Sequence, residues 1–146
     1  MPAAQNSVHD LMVTLSANRH AYARGWEHMK DPFNKHLLRQ LATKRNHPMV
    51  ELNRALVIAG GLPCDVLHSE EVDSMPTVDP ADDNDGFFLA RMKACEQRTM
   101  ELYAELLRDE ALPKGLRKLL EEHMRATSTI LVIIAEALRT SAARAA

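Results

Sequence analysis

Residues 87–107 read FFLARMKACEQRTMELYAELL, and this stretch decides the fold. Phe88, Met92, Cys95, Thr99, Leu102 and Leu106 recur at alternating steps of four and three. That spacing lines one side of a helix, not one face of a strand. Glu96 and Tyr103 fall along the edge of the stripe. A carboxylate and a phenol so close to an apolar seam must be paired, solvated or used.

Working outward, Arg108 suits the end of this helix, and Asp82, Asp83 and Asp85 suit its start. Pro113 opens a following helix with the stripe Leu116, Leu120, His123, Thr127, Ile130, Ile134 and Ala137. The tail from Thr140 to Ala146 is expected to fray.

Upstream, Ser7 looks like an N-cap, with Asp10 in the capping-box position. The first helix then carries Val8, Leu11, Leu15, Asn18, Tyr22, Trp26 and Met29 on one face. Asp31-Pro32 ends it and starts the second, whose stripe is Phe33, Leu37, Leu41, Arg45, Pro48, Leu52, Ala55 and Ala59. Pro48 should kink that helix, and Gly60-Gly61-Leu62-Pro63 should stop it with a left-handed glycine cap.

Between the two pairs of helices, Gly61 to Asp85 holds Pro63, Pro76 and Pro80, eight acidic residues and neither Lys nor Arg. The rest of the chain is therefore net basic. So long a loop in a compact domain fits a crossover running the length of a bundle. The expected architecture is all-α: a single domain over 1–146, with helices at about 7–30, 32–59, 86–108 and 113–139 and a loop at 61–85. Two antiparallel hairpins joined by that loop make a ferritin-like four-helix bundle.

Composition narrows the function classes. Apolar residues are 46% and charged ones 26%, which is ordinary for a soluble domain. A net charge of −2 argues against a dedicated nucleic-acid binder. The N-terminus has no signal-peptide pattern, and the longest apolar run, Ile130 to Ala135, is too short to span a membrane. The two cysteines, Cys64 and Cys95, show no disulfide or CxxC spacing and suit a reducing cytoplasm. Cytoplasmic localisation is the expectation.

A four-helix bundle invites a metal test. The di-iron pattern needs a Glu on each of two helices and a Glu-x-x-His on each of the others. Mid-height here lies near Asn18, Arg45, Glu96 and Thr127. Glu96 is present, but Glu51 is followed three residues later by Arg54, Glu121 by Met124 and Glu122 by Arg125. Both Glu-x-x-His motifs are missing, so no cofactor is expected. An ion pair between Arg45 and Glu96, completed by Asn18 and Thr127, explains the layer instead. The alternative is a degenerate centre for iron, manganese or zinc built from Glu51, Glu96, His123 and His47. Asp83-Asn84-Asp85-Gly86 fails as a calcium loop, because Ala81 and Met92 stand where oxygen ligands are required. There is no catalytic motif.

Lys30-Asp31-Pro32, Arg45, Glu51-Leu52 and Gly60-Gly61-Leu62-Pro63, in this order, form one signature. Ala94-Cys95-Glu96, Tyr103, Leu106 and Leu112-Pro113 form a second, and Tyr22 precedes both. Together they resemble an uncharacterised bacterial family of ferritin-like four-helix bundles. The chain departs from it in lacking a longer His/Trp-containing loop segment and in carrying Thr99 where an acidic residue follows Glu96. The resemblance implies the fold but no activity. The expected role is therefore non-enzymatic: a structural or stress-related bundle, without a nucleic-acid or membrane partner. Apolar residues beyond one stripe, such as Leu38, Met49, Val57, Val132 and Ile133, suggest a homodimer, or equally a wide core face in a monomer. The acidic loop is a candidate contact for a protein partner.

Overall fold

The computed structural model describes residues 2–64 and 84–145. Among these residues the chain is all-helical, with α1 (Pro2–His28), α2 (Pro32–Lys44), α3 (Asn46–Ile58), α4 (Asp85–Leu107) and α5 (Lys114–Ala145). α2 and α3 continue one another across Arg45, which keeps right-handed helical dihedrals (φ −78, ψ −13). The single kinked helix expected over 32–59 is thus two segments parted by one residue. Pro48 is the reason. It offers no N–H to the Lys44 carbonyl, and its ring crowds that carbonyl.

The rods occupy four corners: α1 packs on α2, α3 and α4, α4 packs on α5, and α5 packs on α3. Hydrogen bonds give their directions. Asn18 and Tyr22 of α1 meet Thr99 and Glu96 of α4, so these helices are antiparallel. Asn34, in the first turn of α2, meets Asp85 at the start of α4 and Ser141 near the end of α5. The α2–α3 rod and α4 are therefore parallel and sit on one diagonal. Cys64 belongs to the core cluster at one end of the bundle, and Asn84 resumes the chain at the other. Most of the expected crossover loop, together with its acidic partner contact, lies outside the described residues.

Local chemistry sets the helix ends. Asp31 caps α2 by accepting from Phe33 N at 2.9 Å, with Pro32 in the first turn. Asn84 caps α4 by accepting from Phe87 N at 2.8 Å. Gly60 (φ 86) closes α3, with Gly61 N donating to Leu56 O at 2.8 Å and Gly60 N to Val57 O at 3.0 Å. Arg117 of α5 donates to the Leu107 carbonyl at 2.9 Å and so satisfies the end of α4. Ser7 does not cap α1. The helix extends back to Pro2 through Ala3, Ala4 and Gln5, all compatible with a first turn. The tail also stays helical, to Ala145, rather than fraying from Thr140. Thr140 Oγ1 bonds the Glu136 carbonyl at 3.0 Å, and Asn34 holds Ser141.

The stripe on α5 is buried as expected, from Leu116 to Ala137. Within Lys114–Ala143 one 18-residue window reaches a mean hydropathy of 1.3, enough by length and composition to cross a membrane, a property that the short run 130–135 does not reveal. In this fold it supplies one corner of the core. Two faces are rotated from expectation. On α2 and α3 the buried set is Asn34, Leu38, Leu41, Arg45, Met49, Leu52 and Leu56, while Phe33 is 61% exposed. Leu38 and Met49 are thus core, not surplus surface. On α4, Glu96 and Tyr103 stand at the centre of the buried face, and Cys95 and Leu102 flank it. The apolar core divides into two clusters. One gathers Leu11, Leu15, Leu52, Leu56, Leu106 and Leu120; the other gathers Tyr22, Leu38, Leu41, Phe88, Met92 and Ile134. A polar layer lies between them.

Candidate functional site

The polar layer is the candidate site, and every corner of the bundle contributes to it. Arg45 enters from the joint between α2 and α3, Glu96 from α4, Tyr22 and Asn18 from α1, and Thr127 from α5. Arg45 is 1% exposed and Glu96 fully buried. Arg45 reaches along the diagonal and grips Glu96 in a two-pronged pair, Nε to Oε1 at 3.1 Å and Nη2 to Oε2. Tyr22 donates its hydroxyl to Glu96 Oε1 at 2.7 Å. Arg45 Nη1 donates to Thr127 Oγ1 at 3.3 Å, and Thr127 donates to the His123 carbonyl at 3.0 Å.

Arg45, Glu96 and Thr127 therefore meet as the sequence indicates. Asn18 pairs elsewhere. It donates to Thr99 Oγ1 at 2.9 Å, and Thr99 donates to the Cys95 carbonyl at 3.0 Å. The residue missed at the centre is Tyr22, which reads as core. Its signal was present, because Tyr22 lies one turn from Asn18 on the same face. A carboxylate with one guanidinium partner still has lone pairs to fill.

Electrostatics follow from burial. Burial pushes the Tyr22 phenol well above its ordinary range, and the Glu96 charge, as its hydrogen-bond acceptor, pushes it further. Burial raises Tyr103 as well, to about 12, against the pull of Arg45 and Thr127. Burial works to lower Arg45, but Glu96 more than offsets it, so the guanidinium is held charged. The layer is a fixed cation and anion with neutral phenols, and it has no nucleophile poised for attack.

Of the four candidate ligands, Glu96 is separate from the other three. Its carboxylate is taken by Arg45 and Tyr22. Glu51, His47 and His123 do come together at the α3–α5 seam. Glu51 Oε1 lies 3.2 Å from His47 Nε2 and 3.4 Å from His123 Nε2. His47 is 80% exposed there, whereas His123 is buried. Burial lowers the affinity of His123 for a proton, although Glu51 opposes the shift. Among the described residues no group of three or more His, Cys, Asp or Glu is arranged to hold a metal ion. The donor set thus does not fit a paired-metal centre. Cys64 and Cys95 are free thiols that burial holds towards the protonated form.

Two further polar clamps were not legible in the sequence. Asp85 accepts from Lys30 N at 3.0 Å and Asp31 N at 2.9 Å, tying the α1–α2 turn to the start of α4. Asn53 pairs with the backbone of Cys64, accepting at 2.7 Å and donating at 2.9 Å, and folds the chain back along α3. A cleft of about 700 Å³ beside the first clamp is lined by Lys30, Asn34, Asp85 and Ser141. Comparison with protein families found no match to the chain, and neither curated proteins nor solved structures gave one.

Proposed function

We propose that this chain is a non-enzymatic, ferritin-like helical bundle of the cytoplasm, acting as a structural or stress-related protein and assembling as a homodimer. One observation carries the reading. At mid-height, where a ferritin-like bundle gathers its metal ligands, Arg45 is locked onto both oxygens of Glu96, and Tyr22 donates to Oε1 as well. A guanidinium at the centre repels a cation and uses up the carboxylate that would bind one. The helix directions support the ferritin-like part, since the α2–α3 rod and α4 run parallel, with α3 ending at one end of the bundle and α4 beginning at the other. Dimerisation is supported by Val50, Val57 and Ile58, 52%, 53% and 79% exposed along the outer side of α3.

Elemental analysis of protein purified without chelator tests the proposal, with Glu96→Ala beside it. The expected wild type holds no stoichiometric metal, and the variant is only less stable. Stoichiometric iron, manganese or zinc that the variant loses would overturn the reading. Light scattering at two concentrations tests the dimer, and a monomer at both would remove that part.

A further inference from the structure

We propose that His123 is an acid-operated latch on the seam between α3 and α5. In its neutral form it closes the seam; once protonated, it leaves the layer and α3 loosens. The latch does not depend on whether the bundle is ferritin-like.

The geometry gives His123 two unlike sides. Nε2 faces Glu51 of α3 at 3.4 Å, across the boundary to solvent. Nδ1 is buried and has no hydrogen-bond partner among the described residues. Tyr103 of α4 presses edge-on against the ring, centroids 6.4 Å apart at 72°. The charged and titratable groups facing the imidazole are Glu51 and, through it, His47 from α3, Arg45 from the α2–α3 joint, Tyr103 from α4, and Glu122 on its own helix.

A neutral imidazole donating from Nε2 suits this place, since Glu51 accepts and Nδ1 then carries no proton. Protonation puts a second N–H at Nδ1, where no acceptor stands among the described residues, and adds a cation that the Arg45 charge opposes. Glu51 counters with its charge, but it is 35% exposed and therefore partly screened. Moving outward satisfies both N–H groups, with Glu51 and water as acceptors. The cost is the seam, which here closes over Leu52, Leu56, Leu116 and Leu120.

Only acid opens the latch. Burial sets the folded-state proton affinity of His123 below its unfolded value. Its neutral form therefore imposes no penalty above about pH 6.5. As pH falls below that value the unfolded chain binds the proton first, and the seam weakens until the folded group also titrates.

Two measurements on the whole protein test this. The first is the imidazole titration of His123 by NMR in wild type and Glu51→Gln. The midpoint is expected below that of a free histidine, and lower still in the variant, where the imidazolium has lost Glu51. The second is amide hydrogen exchange between pH 7.5 and 5, corrected for intrinsic rates. Protection in residues 46–58 is expected to fall more than in 85–107, in wild type but not in His123→Gln. A midpoint at or above that of free histidine would overturn the latch. So would the same acid loosening in His123→Gln. If that variant does not fold, the wild-type titration decides alone.

Discussion

The Phe88 ring occupies the space where a side chain at Gly25 would begin. A β-carbon built on Gly25 would sit 2.5 Å from Phe88 Cζ and 2.9 Å from Leu38 Cδ1, well inside contact distance. Gly25 is thus the point at which α1 leaves room for the Phe88 ring of α4 and the Leu38 side chain of α2 to approach its backbone. Phe88 is fully buried, so its ring has nowhere to retreat.

Gly25→Ala sets two effects against each other. Alanine improves helix propensity by about 1 kcal/mol. Overpacking costs about 1–3 kcal/mol. Because the ring is enclosed, the clash should win, and urea denaturation should show a net loss of stability. Adding Phe88→Leu should return part of it. An alanine variant more stable than wild type would mean that the ring moves freely.

Breaking the central pair should cost far more than replacing it. Glu96→Ala leaves a buried guanidinium without its anion and is expected to lose about 3–5 kcal/mol. The double variant Arg45→Met, Glu96→Leu should recover most of that loss, because no buried charge remains and only the Tyr22 hydroxyl is left without its acceptor. Equal losses in the single and double variants, read from chemical denaturation, would refute this.

The phenols make a matched comparison. Tyr22 donates to a buried carboxylate, so Tyr22→Phe should cost about 1.5–3 kcal/mol. The Tyr103 hydroxyl forms no well-shaped hydrogen bond among the described residues. Tyr103→Phe should therefore be neutral or stabilising by about 1 kcal/mol. Both phenols have raised proton affinity in the fold, so the stability they confer is complete below about pH 10 and drains away as pH rises through the folded values. For Tyr103 that value is about 12. Alkaline unfolding followed by tyrosinate absorbance checks the order, and Tyr103→Phe should shift it to higher pH.

Gly60 adopts a left-handed conformation (φ 86) with open space beside it. Gly60→Ala meets no clash and is opposed by backbone strain alone, about 1–2 kcal/mol. A thermal melt with no loss would show that the end of α3 tolerates another closure.

The sequence by itself determined the all-helical class, the Asp31 and Gly60 ends, the whole buried stripe of α5, and the height at which Arg45 and Glu96 meet. Each follows from local chemistry or from counting along a helix. The tertiary structure decided how the helices are turned and directed. One residue along a helix is about 100° of rotation, and a stripe rich in Leu, Met and Ala reads almost equally well in two adjacent settings. On α2 the fold chose Asn34 and Leu38 over Phe33 and Leu37, because Asn34 then reaches both Asp85 and Ser141. On α4 it turned Glu96 and Tyr103 to the centre, because Arg45 and Tyr22 stand there to receive the carboxylate. Spacing along one chain segment carries no information about the partner across the bundle. Satisfying a buried charge depends on that partner, and here it set the rotation.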